Sequence, residues 1–398
     1  MVGQLRVLVV QPIGAGIVGA IAGFATSFAL VIAALQAVGA TAAQASSGLL
    51  ALCLVVGILS IIFTLWLRIP VSFAWSTPGA ALLIAAGHNN ASFAAAIGAF
   101  MVCALLIVLC GVWPALGALI TRIPRSIANA MLAGILLPIC LAPVQAAVEL
   151  PILALPVIVT WLVLVRLAPR WAVPTAMVVA IIVIVVSVNA VEGSRWLTGV
   201  TLVPQLGFVA PIFDPLVILS VGLPLFIVTM AGQNVPGFAV MNTFGYTVPH
   251  RAAFVGTGVA SATAALFGGH VINLAAITAA IMASPEAGED KTQRWIAPFT
   301  AGIGYLVLGL GAGVATALVS ASPPILIVAV AGLAVLGALV SSITAALEQP
   351  SHRIAAVATF LVVASGAVIL TIGSALWGLL VGGAIMAWLR PRRGAPGE

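Results

Sequence analysis

Charge is what this chain has least of. Only 6% of its 398 residues are charged and 63% are hydrophobic, whereas a soluble domain carries about a quarter charged residues. So little charge cannot cover a water-facing surface, which excludes a soluble globular protein. Bilayer hydrocarbon suits the chain instead, and there a helix crosses with about 20 apolar residues. Cysteine is also scarce: Cys53, Cys103, Cys110 and Cys140 lie in apolar segments without CxxC spacing. The seven-residue interval from Cys103 to Cys110 puts both on one helix face, a packing arrangement rather than a metal or redox pair. No HExxH, Walker loop, DDxxD-like pair or GxSxG is present. Nothing therefore supports ATP hydrolysis or a membrane-embedded hydrolase, and no cofactor is expected. The net charge of +6 would suggest nucleic acid if it formed a patch, but the basic residues sit between apolar runs. Arg6 precedes a long apolar run without a clear cleavage site, which reads as a retained first span.

Apolar runs and their breakers place membrane segments at 14–38, 45–67, 70–86, 91–119, 126–148, 151–167, 172–190, 214–242, 252–268, 270–284, 295–319, 324–347, 354–371 and 374–390, fourteen in all. With a cytoplasmic N-terminus, inner loops should collect Arg and Lys. Arg6, Arg68, Arg122, Arg125, Arg166, Arg170, Arg251, Lys291, Arg294, Arg353, Arg390, Arg392 and Arg393 then lie inside, and only Arg195 lies outside. A missed segment would move every later loop to the other side. Both termini are accordingly expected in the cytoplasm of a bacterial inner membrane. Fourteen divides into seven plus seven, and an odd number per half turns the second half upside down, the inverted-repeat plan of many secondary transporters. Similarity between the halves is weak in sequence, so the repeat rests on topology, which makes segments 3 and 10 equivalent. The expected fold is an all-α polytopic membrane protein with short extended stretches in those two segments.

Segment 3 reads Arg68-Ile-Pro-Val-Ser-Phe-Ala-Trp-Ser-Thr-Pro-Gly-Ala-Ala-Leu-Leu83. Pro70 to Trp75 favours extended backbone, Ser76 and Thr77 are cap residues, and Pro78, followed by Gly79, suits a first turn. A helix therefore starts near Pro78, midway through the bilayer. In segment 10, Gly268 and Gly269 break the preceding helix, His270 to Ile272 can extend, and Asn273 can cap a new helix. The two half-helices approach one depth from opposite directions. Their free N–H groups would converge on a midplane cavity able to take a carboxylate. Gly/Pro-kinked packing helices are the plain alternative. In segment 8, Gln233 and Asn234 beside Pro236 and Gly237 face the bundle interior, either for substrate or as interhelical hydrogen-bond glue. In segment 1, Thr26 or Ser27 could bond a substrate and Phe24 or Phe28 could stack on a ring, although hydroxyls bonded to their own helix are the plainer reading. His270 is the one ionisable residue placed at midplane depth, a candidate for proton coupling or for pairing with a carboxylate; a neutral histidine holding segment 10 is the alternative. Asp214 before Pro215 caps segment 8. Glu149 and Glu192 lie in outer loops, and His88, His250 and His352 at loop edges.

At Ile69 to Leu82, Thr229 to Gly237 and Gly268 to Ala280 the chain resembles the benzoate:proton symporter (BenE) family, and the likeness runs over nearly its whole length. That family is similar to nucleobase and sulfate carriers. The resemblance implies a core domain, 14–119 plus 214–319, moving against a gate domain, 126–190 plus 324–390. It also implies import of benzoate or a similar aromatic acid with protons by alternating access, with the ring against Phe24, Phe28 or Trp75. One departure matters. Nucleobase carriers use carboxylates in segments 8 and 10, where this chain has Gln233, Asn234, His270 and Asn273. Lack of a fixed negative charge suits an anionic substrate and leaves the proton carrier open, since the substrate could bring the proton itself. Competing readings are a carrier of the same fold for a nucleobase or inorganic anion, a channel, and a membrane enzyme or scaffold. The expected partners are a small aromatic carboxylate, protons and the lipid bilayer, with a homodimer allowed and no nucleic acid.

Overall fold

The structure, a computed structural model, describes residues 2–87, 92–113, 115, 123–189, 203–369 and 372–389. His88, Arg122, Glu192, Arg195, Arg390, Arg392 and Arg393 lie outside the described residues, as do the ends of segments 91–119 and 172–190. The chain is mostly helical. In order it forms α1 (Val2–Ala25), α2 (Phe28–Ala37), α3 (Ala42–Leu67), β1 (Phe73–Trp75), α4 (Thr77–Ala86), α5 (Phe93–Val112), α6 (Arg125–Glu149), α7 (Pro151–Leu167) and α8 (Pro169–Asn189). The second part begins with α9 (Pro215–Thr243). It continues with α10 (His250–Ala265), β2 (Ile272–Leu274), α11 (Ala276–Ala283), α12 (Ile296–Gly309), α13 (Ala312–Ala321), α14 (Pro324–Leu347), α15 (Arg353–Ala364) and α16 (Ser374–Trp388). Among the described residues seven helices are long and apolar enough to cross a membrane, and a bent pair, α12 with α13, would make an eighth. The remaining apolar helices are shorter than a full crossing, so length alone does not reproduce a count of fourteen.

Local chemistry explains most boundaries. Thr41 opens α3 with a capping box: its hydroxyl accepts from Gln44 N–H while the Gln44 side chain accepts from Thr41 N–H. Ser92 caps α5 and Asp214 caps α9, where Oδ1 accepts from the Leu216 and Val217 amides. The segment at 214–242 is one continuous helix, although Pro224 and Pro236 fall inside it. A five-residue π-turn stands just before each proline, at Ile218–Gly222 and Met230–Asn234. The missing proline N–H thus falls where the hydrogen-bond ladder is already widened.

Three segments differ from the sequence expectation. Segment 14–38 is broken between α1 and α2, where Thr26 and Ser27 turn their hydroxyls back onto α1: Thr26 donates to Ala22 O and Ser27 to Gly23 O, both at 2.7 Å. Hydroxyls that bond i−4 carbonyls bend helices, and here they mark the break. Segment 295–319 is two helices bent by 59° across Leu310 and Gly311. Segment 354–371 stops being helical at Ala364, because Gly366 takes a positive φ of 64° and ends the helix.

α6 packs along α14, α5 along α10, and α12 lies between α1 and α3. These contacts enclose one large apolar core that reaches from Phe28 through Trp75 to Phe226 and Leu274. The outward faces of α7 and α8 carry exposed Ile152, Leu162, Val178 and Ile182, the surface expected of helices solvated by lipid.

Candidate substrate site at two paired half-helices

At the centre of the core the chain twice abandons the helix. β1 and β2 pair antiparallel, with Phe73 opposite Leu274, Ala74 opposite Asn273 and Trp75 opposite Ile272. Two more bonds extend the ladder, Ser76 N–H to Val271 O at 2.9 Å and Ala275 N–H to Ser72 O at 3.0 Å. The strands thus satisfy each other's facing backbone groups, and the outward Ile272 and Leu274 amides donate to Ser261 Oγ of α10 and Asn234 Oδ1 of α9. Gly268 makes the approach to β2 possible. Its φ of 90° excludes most side chains, and its carbonyl lies against Gly48 of α3, where a β-carbon would collide with it.

Because the strands run antiparallel, the helices that leave them start at opposite ends of the pair and point apart. α4 begins at Thr77 with buried Ser76 at its cap: the Ser76 hydroxyl accepts from Gly79 N–H at 3.1 Å and from the Thr229 hydroxyl of α9 at 3.0 Å. Pro78 sits in the first turn, as its lack of an N–H favours. α11 begins differently. The residue at its cap position is Ala275, whose side chain has no acceptor, so its first-turn amides keep their partial positive charge. Asn273 does not cap this helix. It lies within β2, and with its amide nitrogen toward Ala74 O and Leu274 O it donates to both at 3.1 Å. The extended stretch runs two residues farther than Gly and Asn spacing suggested, because pairing with β1 rewards extension through Leu274.

The other expected site residues divide into two groups. Phe24, Ser27, Phe28 and Trp75 come together. Phe24 stacks on Phe28 with centroids 5.2 Å apart and meets the Trp75 ring edge-on at 6.3 Å. Trp75 donates its indole N–H to Ser27 Oγ at 2.9 Å, so the break between α1 and α2 is tied to β1. Thr26 instead spends its hydroxyl on its own helix. Asn234 is fully buried and accepts from Leu274 N–H at 3.0 Å, which makes it the glue between α9 and β2. Gln233 is half-buried on the same π-turn, beside Gly232, which faces Pro78 of α4 and Leu132 of α6. His270 is fully buried. Its Nδ1 lies 3.2 Å from Val271 O, and its Nε2 has no partner among the described residues. It occupies the α4 end of the strand pair, next to the Ser76–Val271 bond.

Two residues at the site were not singled out from sequence. Thr229 bonds the α4 cap. Tyr305 of α12, 4% exposed, meets Trp75 edge-on at 5.5 Å. Tyr305 is one of only two tyrosines in the chain. A lone phenol in an apolar segment needs a hydrogen-bond partner, which was the available signal. No group of three or more metal-ligating side chains occurs among the described residues.

Two half-helices that start inside the protein from a shared strand pair form the centre of this fold, and solved membrane proteins share the overall fold. The structure of SLC26A9 superposes with a TM-score of 0.60 at 16% identity, covering 97% of this chain and 66% of that one. The transmembrane domain of the cyanobacterial bicarbonate transporter BicA superposes at 0.56 and 16% identity, covering 94% and 97%. At such identities the likeness is one of fold. Residues 8–388 match the family model described as benzoate membrane transport protein, BenE. The chain belongs to that family. It is 42% identical over 370 residues to the inner membrane protein YdcO of Escherichia coli K12, with 93% of each chain covered, and 34% identical over 317 residues to the benzoate membrane transport protein of Acinetobacter baylyi, with 79% of each covered. The chain is thus a multi-pass membrane transporter and not an enzyme.

Proposed function

We propose that this transporter imports benzoate or a similar aromatic carboxylate together with protons, by alternating access. One observation carries the reading: α11 starts without a side-chain cap at one end of the buried strand pair, and Trp75, with Phe24 against it and Phe28 stacked on Phe24, stands at the other. The carboxylate is met by the first-turn amides of α11, worth about 0.3–1 kcal/mol and somewhat more when partly buried. Phe24, Phe28 and Trp75 offer ring faces and edges to the arene. The site residues Gln233, Asn234, His270 and Asn273 are uncharged or titratable rather than acidic, so no fixed negative charge opposes an anion. The name of the Acinetobacter baylyi relative supports benzoate as the first substrate to try.

Fourteen segments in two inverted halves remain our reading of the topology. The shorter helices and the antiparallel pairing of β1 with β2 support it, since inverted halves bring equivalent strands together antiparallel. On this reading α1–α5 and α9–α13 form the core, α6–α8 and α14–α16 form the gate, and both termini are cytoplasmic. His270 takes part in proton coupling, its free Nε2 being the one unsatisfied ring nitrogen at the break. The test is uptake of labelled benzoate into proteoliposomes with and without an imposed pH gradient. Accumulation above equilibrium only with an inward proton force is expected. A gradient-independent leak would identify a channel, and transport of nucleobases or inorganic anions instead of benzoate would reassign the substrate. His270→Gln is expected to abolish the pH dependence of uptake; unchanged accumulation with an unchanged pH profile would remove His270 from the coupling.

A further inference from the structure

Between the proposed core and gate lies a cavity of about 400 Å³. One wall comes from α4, beginning at Leu82, and from Ser220 of α9; the other comes from the middle of α6, the end of α15 and the start of α16. An apolar cavity of about 150 Å³ already holds a benzene ring, so this one has room for a substituted ring. Leu82 is five residues into α4, about 7.5 Å along a helix from its start. The first turn of α11 is farther away, at the other end of the strand pair. The cavity is therefore distinct from the site described above.

Leu82, Ile135, Ile139 and Val363 give the cavity apolar walls, and its polar groups gather where α16 begins. α16 starts from Gly373, which has no side chain to cap it, so the first-turn amides of Ser374 and Ala375 keep their partial positive charge. The hydroxyls of Ser365 and Ser374 are spent on Val362 O and Val363 O. That of Ser220 is not. Ser220 is 3% exposed, and the acceptor nearest its hydroxyl is Val217 O at 3.5 Å, beyond the roughly 2.5–3.0 Å of a hydroxyl hydrogen bond. Other buried helical hydroxyls, those of Thr257, Thr316 and Thr359, bond their i−4 carbonyls at 2.8–2.9 Å. Ser220, inside the π-turn Ile218–Gly222, makes no such bond. It stands beside the start of α16, since a β-carbon on Gly373 would lie 3.8 Å from Ser220 O.

We propose that this cavity is a second binding site for an aromatic carboxylate, which loads substrate from the outer face before it reaches the strand pair. The inference rests on the aromatic-acid reading and the topology given above. The carboxylate takes the Ser220 O–H and the first-turn amides of α16, and the ring lies against Leu82, Ile135 and Val363. No Asp or Glu is among the described residues that line the cavity, so no like charge opposes the anion. A lipid chain would fill the volume but leave the hydroxyl and the amides without an acceptor, which buried polar groups rarely tolerate. α4 runs from the cavity back to its Ser76 cap and so joins the two sites.

The test is equilibrium dialysis of labelled benzoate against the full chain in lipid nanodiscs, with empty discs subtracted. Two benzoates per chain are expected. Gly373→Asp caps α16 and puts a carboxylate in the anion position, so it should bind one benzoate fewer than wild type. Gly373→Asn, a neutral cap of the same size, should keep that benzoate at reduced affinity. Ser220→Ala should weaken one of the two sites about tenfold, the worth of a hydrogen bond to a charged group. Binding by Gly373→Asp equal to wild type would overturn the outer site. Equal loss in Gly373→Asn would overturn it too, because bulk and not charge would then be the cause. Should Gly373→Asp not fold, Ser220→Ala decides alone, and wild-type affinity at every site overturns the proposal. A wild type that binds no benzoate would overturn the aromatic-acid reading itself, whatever the variants do.

Discussion

Asn234 shows how much one buried side chain can organise. Its carbonyl oxygen takes the Leu274 N–H, a strand-end donor that neither β1 nor water can reach. Leaving a buried amide unsatisfied costs roughly 1–3 kcal/mol. Asn234→Ala should therefore lower the temperature at which detergent-solubilised protein loses its monodisperse peak in size-exclusion chromatography, whereas Gln233→Ala, whose side chain is only half-buried, should not. The identity of the neighbouring residue was readable as "amide at membrane depth" from sequence. Which of the two amides serves the fold was decided by the π-turn, because a single extra residue in a helical turn changes the face that each side chain presents.

At the scale of elements the two half-helices differ in one group, and the difference is testable. α4 carries its own cap in Ser76, while α11 has Ala275 in the corresponding place. Ala275→Asp would supply a carboxylate to the first turn of α11, a substitution that caps a helix and fills the proposed anion position from within. Benzoate uptake should be lost while the protein stays folded; persistence of uptake at wild-type affinity would show that the anion binds elsewhere. The other end of α11 is held by Arg294, which is 3% exposed. Its guanidinium donates to Ala283 O at 2.8 Å, Gly288 O at 2.7 Å and Glu289 O at 3.4 Å. In the same loop Asp290 accepts from the Thr292 hydroxyl and amide, which holds its carboxyl below the usual carboxylate range. A planar fork can reach three carbonyls where an ammonium cannot. Arg294→Lys should accordingly be measurably less heat-stable than wild type, despite keeping the charge, as a thermal-shift assay would register.

For the whole molecule, the contact to watch is that between α9 and α6. A β-carbon added at Gly232 would lie 3.3 Å from Leu132 of α6 and 3.8 Å from Pro78 of α4, so the proposed core and gate meet beside the site. Joining cysteines at 132 and 232 with a short bifunctional thiol reagent should stop uptake. Omitting the reagent should leave it intact, which the same proteoliposome assay would detect. Of the native cysteines Cys53, Cys103 and Cys110 are buried, and the half-buried Cys140 is replaced by alanine in the test and control proteins alike.

What composition and pattern determined was the solvent and the outline: a chain with this little charge must live in lipid. Ser-Thr-Pro after an extended stretch must start a helix where it stands, and Gly-Gly must interrupt one. Those inferences hold because capping, proline geometry and apolar burial act over a few neighbouring residues. Tertiary structure alone decided the rest. Asn273 became part of a strand because β1 was there to pair with it, the helix around Pro236 stayed continuous because π-turns made room, and Ser27 met Trp75 across 48 positions. Tyr305 joined the site from a segment far along the chain. Contacts between residues so distant in sequence depend on how whole helices pack, and no local pattern encodes that packing.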